Sequence, residues 1–357
     1  MIRTGIIGCG VIAPTHIQSY QRLPDVEVTA VCDLVPEKAK DLAEKFSIEK
    51  IYPTCQELLA DPGIDAVSIC TDHESHTAIA IDALKAGKHV ICEKSLASNK
   101  ENLAKMVEEA ARHPELVASG VFQHRFDPSY LYLKELLEEN TFGTLLTADL
   151  SVMCLRTEAY YKADSWRGTW AKEGGALLIN QAIHFIDMIS WVMGGVESIS
   201  GAWKNLDHKG IIECEDTATA SIIYRNGALG SLTASSASPL NWEPVMSFNG
   251  TKGSLTLING KLEKVRLPGN EEKQRRSGKN SGFSMKSLPF PKAITVPGIP
   301  KCSTTLLKRS RRKIPLFCGC LLRQLPMLLI LSFPSMNPMQ RMGRESKFNT
   351  DQAIFST

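Results

Sequence analysis

No Asp or Glu occurs from Lys273 to Arg344, 72 positions in a row. The same stretch holds neither a helical nor a strand period and places Pro every few residues, which excludes a sustained amphipathic element there. Long apolar runs are missing too. The best stretch, 314–333, is broken by Arg323 and Pro326, whereas a membrane span needs about 18 clean residues or more. The start, with Arg3 and Thr4 close behind Met1, shows no basic segment followed by an apolar one, so the expected location is cytoplasmic. Ten cysteines are present, but Cys318-Gly-Cys320 has no second ligand pair, and no metal is expected. Cys9, Cys32, Cys70 and Cys92 end apolar runs, where a reduced thiol acts as a small hydrophobe rather than half of a disulfide.

What remains is an ordinary globular composition, 43% apolar and 22% charged over 357 residues, enough for two domains. The net charge of +3 conceals an asymmetry. Residues 1–260 carry 22 Lys+Arg against 33 Asp+Glu, a net of −11, and 261–357 carry 19 against 5, a net of +14. The basic tail resembles a nucleic-acid or anionic-membrane patch, but the loss of acids coincides with the loss of periodicity. The favoured expectation is a shifted reading frame over 266–357 that is poorly ordered, with no nucleic-acid or membrane partner.

Short β-branched runs at 2–8, 26–32, 66–70, 88–92 and 116–121 suit buried parallel strands. Amphipathic stretches at 13–22, 36–46, 55–60, 75–86 and 99–112 alternate with them. That alternation predicts a doubly wound sheet over 1–121. Downstream, 147–155, 218–235 with an Asn226-Gly227 turn, and 254–265 alternate in period two, predicting a half-buried antiparallel sheet in a second domain, 122–265.

Gly8-Cys9-Gly10-Val11-Ile12-Ala13 sits between the first strand and the first helix, the context a G-x-G-x-x-G/A dinucleotide fingerprint requires. Gly8 makes the turn, Gly10 admits the pyrophosphate to the backbone, and Ala13 lets the helix pack closely. Asp33 ends the second strand, 23 positions after Gly10, where a carboxylate accepts from ribose hydroxyls. It repels a 2′-phosphate, and Leu34, Val35 and Pro36 bring no cation to neutralise one. NAD is therefore the expected cofactor. Asp33 as a cap for the helix at Pro36 stays open beside this reading.

The fingerprint, CTDHESH (70–76), ICEKSL (91–96) and GGALLINQAIHFIDMISW (174–191) together resemble the glucose-fructose oxidoreductase / inositol dehydrogenase / MocA family over roughly 1–260. The resemblance implies an α/β chain: an N-terminal Rossmann doubly wound parallel sheet plus a C-terminal α/β domain with a large, mostly antiparallel open sheet. It implies a homo-oligomer, dimer or tetramer. It places Glu93-Lys94 beside the nicotinamide, with Lys94 polarising the substrate oxygen; the family's usual Pro is replaced by Ser95. Thr71 and His76 match a segment lining the nicotinamide side, with His76 open between cofactor contact and helix surface, and His73 expected in solvent. Gln123, Trp166 and Arg167 are implied at the cofactor, and Arg125 and Tyr161, with Tyr160 beside it, at the substrate. WRGTW (166–170) with Asn180-Gln181 resembles a branch that includes UDP-N-acetylglucosaminuronate 3-dehydrogenases.

Asn180 and His184 are spaced i, i+4 and are expected on one helix face. Oxidising an alcohol also requires removing its proton, and an imidazole titrating near neutrality suits that task. Many relatives have Asp at position 180; Asn positions a hydroxyl but takes no proton, leaving His184 as the base. The expected function is an NAD-dependent dehydrogenase acting on a secondary alcohol of a sugar, cyclitol or nucleotide sugar, with Lys94 and His184 converging on one carbon. A redox-neutral enzyme that retains its NAD, and a non-catalytic NAD-binding protein, are the alternatives.

Overall fold

The computed structural model describes residues 1–269. The expectations for the tail beyond them, Cys318 and Cys320 included, lie outside the described residues. The described residues divide into two compact units: Met1–Phe126 with Ala171–Gly174, and Asp127–Trp170 with 175–269.

In the first unit β1 (Ile2–Ile7), β2 (Val26–Cys32), β3 (Lys50–Tyr52), β4 (Ala66–Ile69), β5 (His89–Cys92) and β6 (Ala118–Gly120) form one sheet in the order β3-β2-β1-β4-β5-β6. Every pairing is parallel. The chain winds outward from β1 to β3 and returns at β4, so the order reverses beside β1, where open α/β sheets bind ligands. Connections run through α1 (Ala13–Tyr20), α2 (Pro36–Phe46), α3 (Cys55–Ala60), α4 (His73–Lys85) and α5 (Lys100–Arg112). The apolar runs become strands because both sheet faces are covered: Ile6, Ala30, Val31, Ile69 and Cys92 are all 0–2% exposed. Helix α4 starts two residues earlier than expected because Asp72 caps it, its Oδ1 accepting from Ser75 N at 3.1 Å. His73 is consequently not in solvent. It is 3% exposed, with Nδ1 3.0 Å from Glu173 O.

The second unit carries α6 (Pro128–Glu138), β7 (Leu145–Leu155), α7 (Glu158–Lys162), α8 (Ile183–Val192), β8 (Val196–Lys204), β9 (Thr217–Tyr224), β10 (Leu229–Ser235), β11 (Ala237–Gly250), β12 (Gly253–Ile258) and β13 (Lys261–Arg266). The strands form one sheet in the order β13-β12-β11-β7-β10-β9-β8. It is antiparallel except where β10 runs parallel to β7. Alternate residues of β7, Ala148, Leu150, Val152 and Cys154, are buried. They share a core with Leu133 and Leu136 of α6 and Phe185 and Ile189 of α8, each Val, Leu, Ile or Phe among them contributing about 1.5–3 kcal/mol by leaving water. The Asn226-Gly227 turn joins β9 to β10; Gly227 adopts φ +84°, and Ala228 N donates to Asn226 Oδ1 at 3.1 Å.

The segment expected as one helix through 180–184 is not one. Leu177–Gln181 forms a π turn, with Ala182 N donating to Leu177 O at 2.9 Å, and α8 begins only at Ile183. A π turn inserts an extra residue, so i, i+4 spacing does not put Asn180 and His184 on one α-helical face.

Candidate active site

Strand β1 runs straight into the glycine loop. Gly8 has φ +92°, and a Cβ there falls 2.8 Å from the Cys70 carbonyl carbon and oxygen, so backbone and space both require glycine. At Gly10 a Cβ meets nothing within 4 Å. No protein neighbour demands glycine at that position; close approach by a pyrophosphate does. Asp33 ties this loop to the one after β2: its Oδ2 accepts from Cys9 N at 2.7 Å and its Oδ1 from Val35 N at 2.8 Å. It does not cap α2, whose N-cap is Val35 without a side-chain bond. A carboxylate accepts about four hydrogen bonds, so capacity remains for ribose hydroxyls. Val11 and Leu34 stand 96% and 84% exposed beside the half-exposed Ile12 and Val35, an apolar flank suited to a flat base. Past β6, the buried Oε1 of Gln123 has no hydrogen-bond partner among the described residues, which suits a ligand N–H. Backbone, carboxylate, apolar flank and buried acceptor together fit a dinucleotide.

Thr71 follows β4 and accepts at Oγ1 from Ser75 Oγ at 2.8 Å. His76 occupies neither of the places expected for it. It is 0% exposed, with Nδ1 2.6 Å from Ser95 O and Nε2 3.1 Å from Thr71 O, and burial pushes its pKa down. It braces the Thr71 and Ser95 loops from beneath, and no surface of it is left for a nucleotide.

Across 91–98 only Lys94 escapes full burial. Its backbone N donates to Glu93 Oε2 at 3.1 Å, while Glu93 Oε1 lies 3.0 Å from His16 Nε2. His16 Nδ1 sits 3.2 Å from Ser68 Oγ, itself 2.5 Å from the Tyr20 hydroxyl. Burial opposes a charge on His16, but the Cys70 sulfur and the Glu93 carboxylate outweigh it and lift its pKa to about 10. Burial likewise opposes a charge on Glu93, yet the His16 contact holds it below the ordinary carboxylate value. The result is a buried ion pair abutting the lysine backbone.

In the second unit the π turn carries Asn180, 8% exposed, and Gln181, 7% exposed. Glu215 anchors this turn. Its carboxylate accepts from Ala176 N at 3.3 Å and Leu178 N at 2.9 Å, and burial pushes its pKa up to about 7. Along 183–190 His184 alone is partly exposed, although its Nδ1 is buried, and the rest of the helix is rooted in the core. Arg167 stacks on Trp166 at 4.6 Å and on Tyr160 at 4.4 Å, donating to the Tyr160 hydroxyl at 2.7 Å and to Asp164 at 2.9 Å. Tyr161, expected at the substrate, is 4% exposed, bonds Ser236 Oγ at 3.0 Å and packs on the His208 ring at 4.9 Å. Its neighbour Tyr160 is half-buried, its ring met by the guanidinium groups of Arg156 and Arg167. Arg125 lies in the first unit's 3-10 turn, Gln123–Phe126, and is 8% exposed.

Sequence reasoning passed over Arg156, Gln181 as a contact, His16 and Glu215. Each acts through a partner 25 or more residues away, which no local pattern signals.

Residues 2–121 match the family model described as oxidoreductase family, NAD-binding Rossmann fold, and 130–256 match the GFO/IDH/MocA C-terminal domain. The trans-1,2-dihydrobenzene-1,2-diol dehydrogenase of Bos taurus is 31% identical over 262 residues, 72% of this chain and 74% of that protein. Myo-inositol 2-dehydrogenase of Thermotoga maritima is 29% identical over 261 residues, 72% of this chain and 75% of that protein. Among solved structures, the WlbA dehydrogenase of Chromobacterium violaceum in complex with NADH and UDP-GlcNAcA superposes with a TM-score of 0.80 at 28% identity, covering 98% of this chain and 97% of that one.

Proposed function

Since the chain belongs to the GFO/IDH/MocA family of NAD-binding oxidoreductases, we propose that it is a dehydrogenase for a secondary alcohol of a sugar, cyclitol or nucleotide sugar. The observation that carries the reading is the joined pair of loops after β1 and β2, open at Gly10 and bridged by Asp33. The inositol and nucleotide-sugar ligands of the relatives support the substrate class.

NAD, when bound, supplies the hydride acceptor. The side chains do the rest. His184 takes the hydroxyl proton, Asn180 hydrogen-bonds a neighbouring hydroxyl, and the Lys94 ammonium donates to the alcohol oxygen as it becomes a carbonyl. Thr71, Glu93, Gln123, Trp166 and Arg167 serve the cofactor, and Arg125 the substrate. Assembly as a homo-oligomer is supported by the cross-strand pair Leu229–Ile223, which remains 58% and 43% exposed on the sheet's outward face. A cytoplasmic location agrees with the absence, among the described residues, of any helix long and apolar enough to cross a membrane.

The test is a panel of sugars, inositols and nucleotide sugars with NAD, read by absorbance of the reduced nicotinamide. Stoichiometric NADH release supports the proposal; NAD binding without turnover on any member overturns it. Asp33→Ala is expected to weaken NAD binding roughly ten- to hundredfold by fluorescence titration, because charge-assisted hydrogen bonds to the ribose are lost. NADP binding should weaken less, since the repulsion of its 2′-phosphate is relieved.

A further inference from the structure

Arg156 leaves the end of β7 and is held unusually well for a cation without a counter-ion. Its Nε and Nη2 donate to Gln181 Oε1 at 3.0 and 2.6 Å, and its Nη1 donates to Leu155 O at 2.9 Å. The guanidinium carbon lies 5.1 Å from the Tyr160 ring centre and 5.5 Å from that of Trp242. Gln181 is fixed at both ends, because its Nε2 donates to the Tyr160 hydroxyl at 2.8 Å. Among the described residues no carboxylate forms an ion pair with Arg156. Nearby carboxylates are engaged elsewhere: Glu158 with Lys162 and Asp164 with Arg167, both close in sequence, and Asp216 with His208, whose Nε2 lies 2.8 Å from Arg156 O.

A partly buried charge is unfavourable unless something offsets it. Aromatic faces and a neutral amide do so only in part. They also hold the planar fork still without neutralising it. Three of the five guanidinium N–H groups are engaged and two remain, in the geometry that suits a carboxylate or phosphate. Its anchor, Gln181, is the residue after Asn180 on the π turn, and His184 follows in the first turn of α8. An anion taken by Arg156 therefore lies close to the sugar ring that Asn180 and His184 handle, rather than at the far end of a long substituent.

We propose that Arg156, set by Gln181 between Tyr160 and Trp242, is an oxyanion subsite, and that the substrate is an acidic sugar carrying a carboxylate or phosphate on or next to the reacting ring. This rests on the dehydrogenase reading and narrows its substrate class.

The experiment compares D-glucose, D-glucuronate and D-glucose 6-phosphate, and UDP-N-acetylglucosamine with its uronate, in the full-length protein and in Arg156→Gln and Arg156→Lys. The expected result is a higher kcat/KM for acidic members than for their neutral partners. Arg156→Gln should reduce that ratio roughly ten- to hundredfold, mainly through KM, and Arg156→Lys should keep part of it. A collapse confined to the uronates identifies a carboxylate site; one confined to the phosphate identifies a phosphate site. Equal use of acidic and neutral sugars, or a ratio unchanged in Arg156→Gln, overturns the subsite and leaves the dehydrogenase standing. If no member yields NADH, the dehydrogenase reading falls, and calorimetric titration of glucuronate, glucose 6-phosphate and glucose decides the subsite. No acid preference, or a preference surviving in Arg156→Gln, rejects it.

Discussion

Replacing His184 by Ala is expected to lower kcat by roughly 10²–10⁴-fold, the usual contribution of a positioned general base, while NADH titration stays unchanged. The nucleotide loops belong to the first unit and His184 to the second, so the substitution changes no residue of those loops. The side chain is partly exposed while its neighbours in α8 are rooted in the core. His184 is not among the side chains of the apolar core cluster, so truncation removes none of that cluster's packing and the thermal midpoint should move little. Added imidazole should restore part of the rate by supplying the missing base. A variant that keeps activity within about tenfold of the wild type, below the range for losing a general base, would show that another group takes the proton.

Glu93→Gln is expected to destabilise the first unit by about 3–5 kcal/mol near neutral pH, the usual loss when one member of a buried ion pair is removed. The effect depends on pH from both sides. His16 in the folded chain titrates at about 10, above its ordinary value of 6.5. The stability it contributes is full below that ordinary value and is lost as pH rises through about 10. Glu93 is held below its ordinary 4.5, so its share is present above that value and is lost as pH falls through the depressed one. Thermal unfolding followed by circular dichroism should show a wide gap between wild type and variant between about pH 5 and pH 7, narrowing toward alkaline pH. An equal gap at both ends would mean that hydrogen bonding, not charge, holds the pair. Because Glu93 Oε2 accepts from the Lys94 backbone, kcat should fall with stability.

The first unit was largely legible because its strands are buried on both faces and read as plain apolar runs, and because Gly8, Gly10 and Asp33 must stand at fixed places around a turn. Three-residue β3 escaped notice because Lys50 and Ile51 are exposed, so no apolar run marks it. β11 was hidden by Pro239 and Pro244 and by a register shift between Ala237 and Trp242, which break a simple alternation. The π turn at Leu177–Gln181 was illegible for a different reason. The same residues serve an α-helix equally well, and what selects the wider turn is a carboxylate at Glu215, 34 positions beyond Gln181. His73, His76 and Tyr161 show a common limit. Each has a polar group that a surface site would use, and each is turned inward by a partner that only the folded chain brings near.

Strand β7 lies at the middle of its sheet, yet both its neighbours, β10 and β11, come from at least 74 residues later in the chain. During synthesis the ribosome must therefore release residues through Ser235 before this strand finds β10, and through Gly250 before it finds β11. Until then its apolar side is exposed while the Rossmann half is already free to close. The interval between the two events is when this polypeptide most needs a chaperone.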